Sequence, residues 1–226
     1  QYLRDNLGDN IATVASTGVA AVNVGGQTIH SFFGFGIHTT VGTVRADARK
    51  ENLMNALQYL FIDEVSMVRA DLLDCVDEFL RLNGKNKSMP FGGLQMIFVG
   101  DLYQLPPVVK GEEREIFKSV YQTPYFFSAN ALEGFDFEII ELEKIYRQRD
   151  DAFINIQNAV RNRSITDQVL EILNSLASTE FLFRNHVMML HLSPYHTGFF
   201  QFYQICCQVH LEVIVRRFDH EKSCKN

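Results

Sequence analysis

The stretch Tyr59-Leu60-Phe61-Ile62-Asp63-Glu64-Val65-Ser66-Met67, residues 59–67, decides the fold. It opens on an uninterrupted apolar run, which is typical of a strand inside a parallel sheet that is covered on both faces. Two adjacent acids follow. Hydrolysis of a nucleoside triphosphate needs a carboxylate for Mg²⁺ and a second group that orients or activates water. A solvated turn would also carry two acids, and the short motif alone leaves both interpretations open.

The segments around this stretch predict an α/β fold with a mostly parallel sheet flanked by helices. Residues 11–17, 94–100 and 137–142 resemble strands, of which the first runs into Gly18 and the second into Asp101. Apolar residues at helical spacing predict a helix near 69–82, and two further helices are expected near 151–161 and 166–176. In such a fold the ligand site lies at the carboxyl ends of the strands.

Composition limits the class of protein. The 226 residues carry a net charge of −6 and are 46% hydrophobic, which suits a globular domain. The acidic balance argues against nucleic-acid binding, unless a narrow groove grips one strand without a basic exterior. No apolar run approaches the ~18 residues of a membrane span, and the start is unlike a signal peptide. Four cysteines without a CxxC pair predict an intracellular, reducing compartment.

A second polar string follows a strand, Gly100-Asp101-Leu102-Tyr103-Gln104-Leu105-Pro106-Pro107-Val108. Glycine allows close backbone approach, and the two prolines stiffen the loop. Such a loop can present the Gln104 amide to a γ-phosphate and sense its loss. An ordinary proline-rich turn is the alternative.

A third pair of strings is Ser16-Thr17-Gly18-Val19-Ala20-Ala21 and Thr28-Ile29-His30-Ser31. Small residues at a strand end leave backbone amides available for a nucleic-acid phosphate, and hydroxyls add donors. His30 and the phenylalanines that follow it could stack on bases, although the phenylalanines could equally belong to the core.

Two further segments bear on function. Tyr146-Arg147-Gln148 could bring an arginine to a γ-phosphate, although a surface arginine is the simpler explanation. After about residue 177 the composition changes: this tail holds five of the seven histidines and three of the four cysteines. No spacing there matches a zinc site, so we expect no zinc. Residues 177–226 are predicted to be an atypical tail, from a misread frame, a foreign terminus or a divergent second lobe.

Together these strings resemble the petite-integration-frequency (Pif) family of ATP-dependent DNA helicases, in superfamily one and related to RecD. The resemblance covers roughly residues 2–175 and includes Pro90-Phe91-Gly92-Gly93-Leu94-Gln95. It implies that residues 1–176 are a first RecA-like P-loop NTPase lobe. The implied activity is 5′-to-3′ translocation on single-stranded DNA with unwinding of duplexes and G-quadruplexes, in repair, recombination or telomere maintenance.

The resemblance also implies roles for individual residues at the matching positions of this sequence. The cofactors would be ATP and Mg²⁺: Asp63 would serve the metal, Glu64 would activate water, and Gln104 and Arg147 would sense the γ-phosphate. The implied DNA track consists of Thr17, Gly18, Val19, His30 and Ser31.

One departure from the family stands out. The phosphate-binding string Gly-x-x-x-x-Gly-Lys-Ser/Thr does not occur in the 226 residues. That loop supplies an amide cradle and a lysine for the phosphates, so the chain by itself is expected to be catalytically inactive. The alternatives are a non-catalytic fragment that binds DNA or a partner protein, and another RecD-type P-loop ATPase.

Overall fold

The computed structural model describes residues 5, 8–111, 113–134, 137–142, 151–162, 164–176 and 212–215. Contacts divide the chain into two units: Gln1–Leu142 together with Leu211–Asn226, and Glu143–His210. The composition change predicted near residue 177 falls inside the second unit. Most of the tail lies outside the described residues, so its assignment as an atypical segment stays a prediction.

The first unit is built on a six-stranded sheet in the order β2-β1-β3-β4-β6-β5. The strands are β1 (Ile11–Ala15), β2 (Gln27–Thr28), β3 (Tyr59–Asp63), β4 (Gln95–Gly100), β5 (Glu138–Glu141) and β6 (Glu212–Val215). Pairings among β2, β1, β3 and β4 are parallel, whereas β6 runs antiparallel to both β4 and β5. The predicted mostly parallel α/β sheet is therefore confirmed, and β5 has the same direction as β4.

Seven α-helices are described. In the first unit they are α1 (Gly18–Asn23), α2 (Ile29–Phe33), α3 (Ala48–Ala56), α4 (Ala70–Asn83) and α5 (Arg114–Val120); in the second they are α6 (Asp151–Arg161) and α7 (Asp167–Leu176). The helices predicted near 69–82, 151–161 and 166–176 are thereby confirmed. Among the described residues, no helix combines the length and apolar character needed to cross a membrane.

The core of the first unit forms where the apolar faces of β3, β4 and α4 meet. Leu60 and Ile62 of β3 and Phe98 of β4 are fully buried, as is Leu73 of α4. Burying a large apolar side chain contributes about 1.5–3 kcal/mol, so this cluster contributes strongly to the stability of the first unit.

The Pro90–Gly93 turn is tied to α4 and positions the start of β4. The Phe91 amide donates to the Asp77 carboxylate, and Phe91 adopts a left-handed conformation with φ of 53°. A side chain at Gly92 would put its Cβ 2.5 Å from the Leu80 carbonyl oxygen, so only glycine fits there. This part of the family-like string therefore has a structural role.

Asp74 is the centre of a buried polar network on α4. Its carboxylate accepts from the Tyr121 hydroxyl at 2.9 Å, from the amide and side chain of Asn130 at 3.2 and 3.0 Å, and from the Ala131 amide at 2.9 Å. The residue is only 6% exposed. Four donors satisfy the buried carboxylate and join α4 to the segments that follow α5.

Candidate functional site

The acid pair lies at the carboxyl end of β3, as predicted. Asp63 is the last residue of β3 and pairs in register with Ala15 of β1. Glu64 follows with φ of 52° and ψ of 45° and opens a 3₁₀ turn, Val65–Met67, in which the Met67 amide donates to the Glu64 carbonyl at 3.2 Å. A left-handed backbone costs a non-glycine residue about 1–2 kcal/mol. Such conformations persist where the surroundings impose them and are concentrated at functional sites.

Gly100, at the end of β4, packs directly against this turn. A Cβ at Gly100 would lie 3.0 Å from the Val65 amide nitrogen and 3.1 Å from that of Ser66. Glycine therefore allows a close backbone approach, as the sequence predicted, and the neighbour is the turn that follows Glu64. The two predicted strings meet here.

A turn follows β4, and it runs from Asp101 to Gln104. Asp101 is 1% exposed, and its carboxylate accepts from the Tyr103 amide at 2.9 Å. The backbone amide of Gln104 donates to the Asp101 carbonyl at 3.0 Å, and this hydrogen bond closes the turn. Gln104 is half-buried beyond the end of β4, so it follows the strand next to the one that ends in the acid pair.

The strings 16–21 and 28–31 lie side by side, because Ala15 pairs in register with Thr28. Each contains a threonine that caps a short helix: Thr17 Oγ1 accepts from the Ala20 amide and Thr28 Oγ1 from the Ser31 amide, both at 3.2 Å. The Thr17 hydroxyl can still donate a hydrogen bond while it caps α1.

The predicted DNA-contacting residues form an exposed surface beyond β1 and β2. Val19 is 76% exposed, and Gly18, His30 and Ser31 are also exposed. Phe33, in contrast, is 3% exposed and stacks on Phe35 with ring centroids 5.4 Å apart. Phe33 is therefore a core residue, whereas Phe32 and Phe35 are half-buried and His30 is an exposed ring.

Several predicted groups lie outside the described residues, namely Arg147 and the histidines and cysteines of the tail. Within the described ranges, no group of three or more His, Cys, Asp or Glu side chains could hold a metal ion. The expectation of no zinc stays a prediction.

Sequence reasoning gave Ser66 no role of its own and included Ser16 only in the string expected near a nucleic-acid phosphate. Both hydroxyl oxygens are buried and make no hydrogen bond within the described part of the chain. Both serines are within the quoted strings, but burial without a partner is visible only in three dimensions.

Comparison with known proteins places this geometry in context. The sequence model of a family described as "PIF1-like helicase" matches residues 1–179. The chain is 36% identical over 173 residues to "ATP-dependent DNA helicase RRM3" of Saccharomyces cerevisiae, covering 74% of this chain and 23% of that protein. It is 38% identical over 170 residues to the human "ATP-dependent DNA helicase PIF1", covering 73% and 25%. The chain thus spans about a quarter of the length of these relatives.

Solved structures give the same result. A Bacteroides Pif1 helicase crystallised with ADP-AlF3 and single-stranded DNA aligns with a TM-score of 0.72 at 41% identity, covering 79% of this chain and 42% of that one. The chain also aligns with a Pif1 helicase from a structure that concerns DNA unwinding at forked double-stranded DNA by two coordinating Pif1 helicases. The TM-score is 0.68 at 38% identity, and the alignment covers 77% of this chain and 43% of that one.

Proposed function

Since the chain belongs to the PIF1-like helicase family, we propose that residues 8–142 are part of the first RecA-like ATPase lobe of a DNA helicase. The motor would hydrolyse ATP to move 5′ to 3′ along single-stranded DNA and to separate duplexes. The observation that carries the proposal is the acid pair at the end of β3, where Glu64 adopts a left-handed conformation and the turn after it, Val65–Met67, packs against Gly100.

Mg²⁺ fits the chemistry of this edge. Asp63 would hold the ion, directly or through water, and Glu64 would accept a proton from the attacking water. An ion that keeps several waters and takes further ligands from phosphates needs no enclosing cage of side chains. When bound, it would neutralise charge that develops on the phosphates.

Gln104 would sense the γ-phosphate from the turn that Asp101 closes. A loop with a fixed backbone suits this role. The side-chain amide of Gln104 then loses less conformational entropy when it binds a phosphate oxygen. Arg147 would contribute a positive charge to the same phosphate.

The surface formed by Thr17, Gly18, Val19, His30 and Ser31 would contact the DNA strand. Exposed backbone amides and hydroxyls can bind phosphates without reading sequence, and His30 offers a ring for base stacking. Four of these five residues are exposed and Thr17 is half-buried, which supports the assignment. The wider role would be genome maintenance in an intracellular compartment, with forks and G-quadruplexes as further substrates.

Fluorescence anisotropy with a labelled oligothymidylate tests the DNA track. We expect His30→Ala to weaken binding by about 1–3 kcal/mol, the usual contribution of a base stacked on a ring. Ile116→Ala is the matched control, because Ile116 is 73% exposed on α5, away from the track strings in sequence. If His30→Ala binds as tightly as the parent chain, His30 is not part of the track.

A further inference from the structure

Lys50, in the first turn of α3, is half-buried and binds a helix other than its own. Its ammonium group donates to the backbone carbonyl of Phe32 in α2. It also lies 5.8 Å from the centre of the Phe79 ring in α4, a cation–π contact. Within the described part of the chain it forms no ion pair with a carboxylate. Lys50 thus joins α3 to α2 and α4.

The charge of Lys50 favours α2 and opposes its own helix. The amino end of a helix carries a partial positive charge, so a cation in the first turn of α3 is unfavourable there. At α2 the same cation binds a carbonyl of the last turn, where the helix carries a partial negative charge. The position of Lys50 is therefore explained by α2 and not by α3.

The carboxyl end of α2 depends on contacts from outside the helix. With five residues, α2 is far shorter than a helix that is stable alone in water. The Gly34 and Phe35 amides donate to the His30 carbonyl. The Phe32 carbonyl is one of those that a helix end leaves without an intrahelical partner, and Lys50 supplies its donor.

The two faces of α2 differ in exposure. Ile29 is fully buried and Phe33 is 3% exposed, whereas His30 and Ser31 between them are exposed. The core thus holds the inner face of α2, and Lys50 holds its carboxyl end. Loosening that end would displace His30 while the core stays folded.

We propose that Lys50 is a positioning residue for DNA binding: it holds α2, and with it His30, in the conformation that meets the strand, and does not touch the strand itself. This inference rests on the proposed function. A protein whose binding conformation is populated only part of the time has its affinity reduced by that fraction. Loss of the Lys50 contact should therefore weaken DNA binding although no contact to DNA is removed.

An anisotropy titration of the full chain with labelled oligothymidylate measures the effect. Lys50→Met keeps the aliphatic stem and removes the charge, and it should weaken binding about three- to tenfold, the range expected for a charged hydrogen bond at a helix end. Lys50→Arg retains donors for the same carbonyl and should bind within about twofold of the parent.

Arg49→Met is the matched control. It removes the same charge from the neighbouring residue of α3, where the guanidinium binds Asp47 at 2.9 Å and is exposed. Loss of such an exposed pair should change the affinity for DNA by less than about twofold. Equal weakening by Arg49→Met and Lys50→Met would attribute the effect to net charge and overturn the proposal.

Salt dependence separates positioning from direct contact. A side chain that neutralises one phosphate of a single strand contributes about 0.7 to the slope of log K against log salt concentration. Lys50→Met should leave this slope unchanged. A slope that falls by about 0.7 would show that Lys50 binds a phosphate itself, which contradicts the proposal.

Hydrogen exchange in the absence of DNA reports the order of α2 directly. The Gly34 and Phe35 amides, which donate to the His30 carbonyl, should exchange faster in Lys50→Met than in the parent. Amides of β3 should exchange at the parent rate. Unchanged exchange at Gly34 and Phe35, or an equal acceleration in β3, would show that Lys50 does not act on α2 in particular.

The His30→Ala background separates this proposal from the proposed function. There Lys50→Met should weaken binding by less than about twofold more, because the group that Lys50 positions is gone. Fully additive effects would mean that Lys50 does not act through His30. If His30→Ala weakens binding and Lys50→Met does not, only the role of Lys50 is wrong. If His30→Ala binds as the parent does, or the parent does not bind at micromolar concentration, the assignment of the DNA track fails, and this inference fails with it.

Discussion

The first unit treats buried polar groups in two opposite ways. Around α4, Asp74 accepts four hydrogen bonds and Asp77 accepts from Phe91 and, at 2.7 Å, from Arg81. At the carboxyl ends of β1 and β3, Ser16 and Ser66 bury hydroxyls without a partner in the described residues, and Glu64 adopts a left-handed backbone.

This difference separates scaffold from site. Satisfied buried networks lower the free energy of the fold and fix the position of α4 against its neighbours. Unpaired buried hydroxyls raise it, whereas a left-handed backbone occurs in both regions, at Glu64 and at Phe91, and so does not distinguish them. The α4 network is therefore expected to control stability, whereas the strand ends control function.

The largest effect should come from the α4 network. Asp74→Ala leaves four donors, among them the Tyr121 hydroxyl, without their acceptor, so we expect a loss of about 3–5 kcal/mol in unfolding free energy. Urea unfolding at neutral pH measures it. Glu78→Ala, on the same helix and only half-buried, should change stability by less than about 0.5 kcal/mol. A comparable loss in both variants would show that the hydrogen bonds of Asp74 contribute no more to stability than Glu78 does.

Alkaline pH should weaken the same region. Burial raises the pKa of Cys75 from 9.0 to about 12 and raises that of Tyr121, which also donates to Asp74. Both groups stay protonated in the folded chain after the unfolded chain has begun to ionise. Stability is therefore full below about pH 9 and falls as pH rises, by about 2 kcal/mol for Cys75 near pH 10.5.

Cys75→Ala isolates the thiol's share of that decline. Unfolding midpoints of this variant should fall less steeply between about pH 9 and 11 than those of the parent. Parallel curves for the two proteins would show that burial of Cys75 does not cause the decline.

A smaller loss of unfolding free energy is expected from a substitution at Gly100, the last residue of β4. Gly100→Ala forces a Cβ against the amides of Val65 and Ser66, so we expect a loss of about 1–2 kcal/mol and displacement of Glu64. Gly42→Ala is the matched control, because nothing lies within 4 Å of its added Cβ. Equal stability of the two variants in urea would mean that the contact at Gly100 is loose.

Much of the scaffold was predictable from sequence. Strand β3 matches the predicted residues 59–63, and β4 and α4 differ from their predicted bounds by one residue at most. Uninterrupted apolar runs and helical spacing report burial directly, which is why they succeed. The acid pair and the Gly100 string could be placed at strand ends for the same reason.

The sequence was less informative where tertiary contacts decide. Strand β2 has two residues and α2 has five, too few for a periodic pattern. Nothing local predicts that Glu64 takes a left-handed backbone, because residues other than glycine rarely adopt that conformation. The pairing of β6 with β4 and β5 joins residues far apart in the chain, and no local pattern encodes it.

The account depends most on Glu64 as the group that activates water. A chimera in which residues 8–142 replace only the aligned segment of the Bacteroides Pif1 relative would keep the rest of that helicase, including the segments expected to carry the phosphate-binding loop and the second lobe. DNA-stimulated ATP hydrolysis of this chimera should fall by about 10²–10⁴-fold with Glu64→Gln, because glutamine keeps the shape and loses the base. ATP binding should be retained. If the Glu64→Gln chimera hydrolyses ATP at the rate of its parent, the central claim is contradicted.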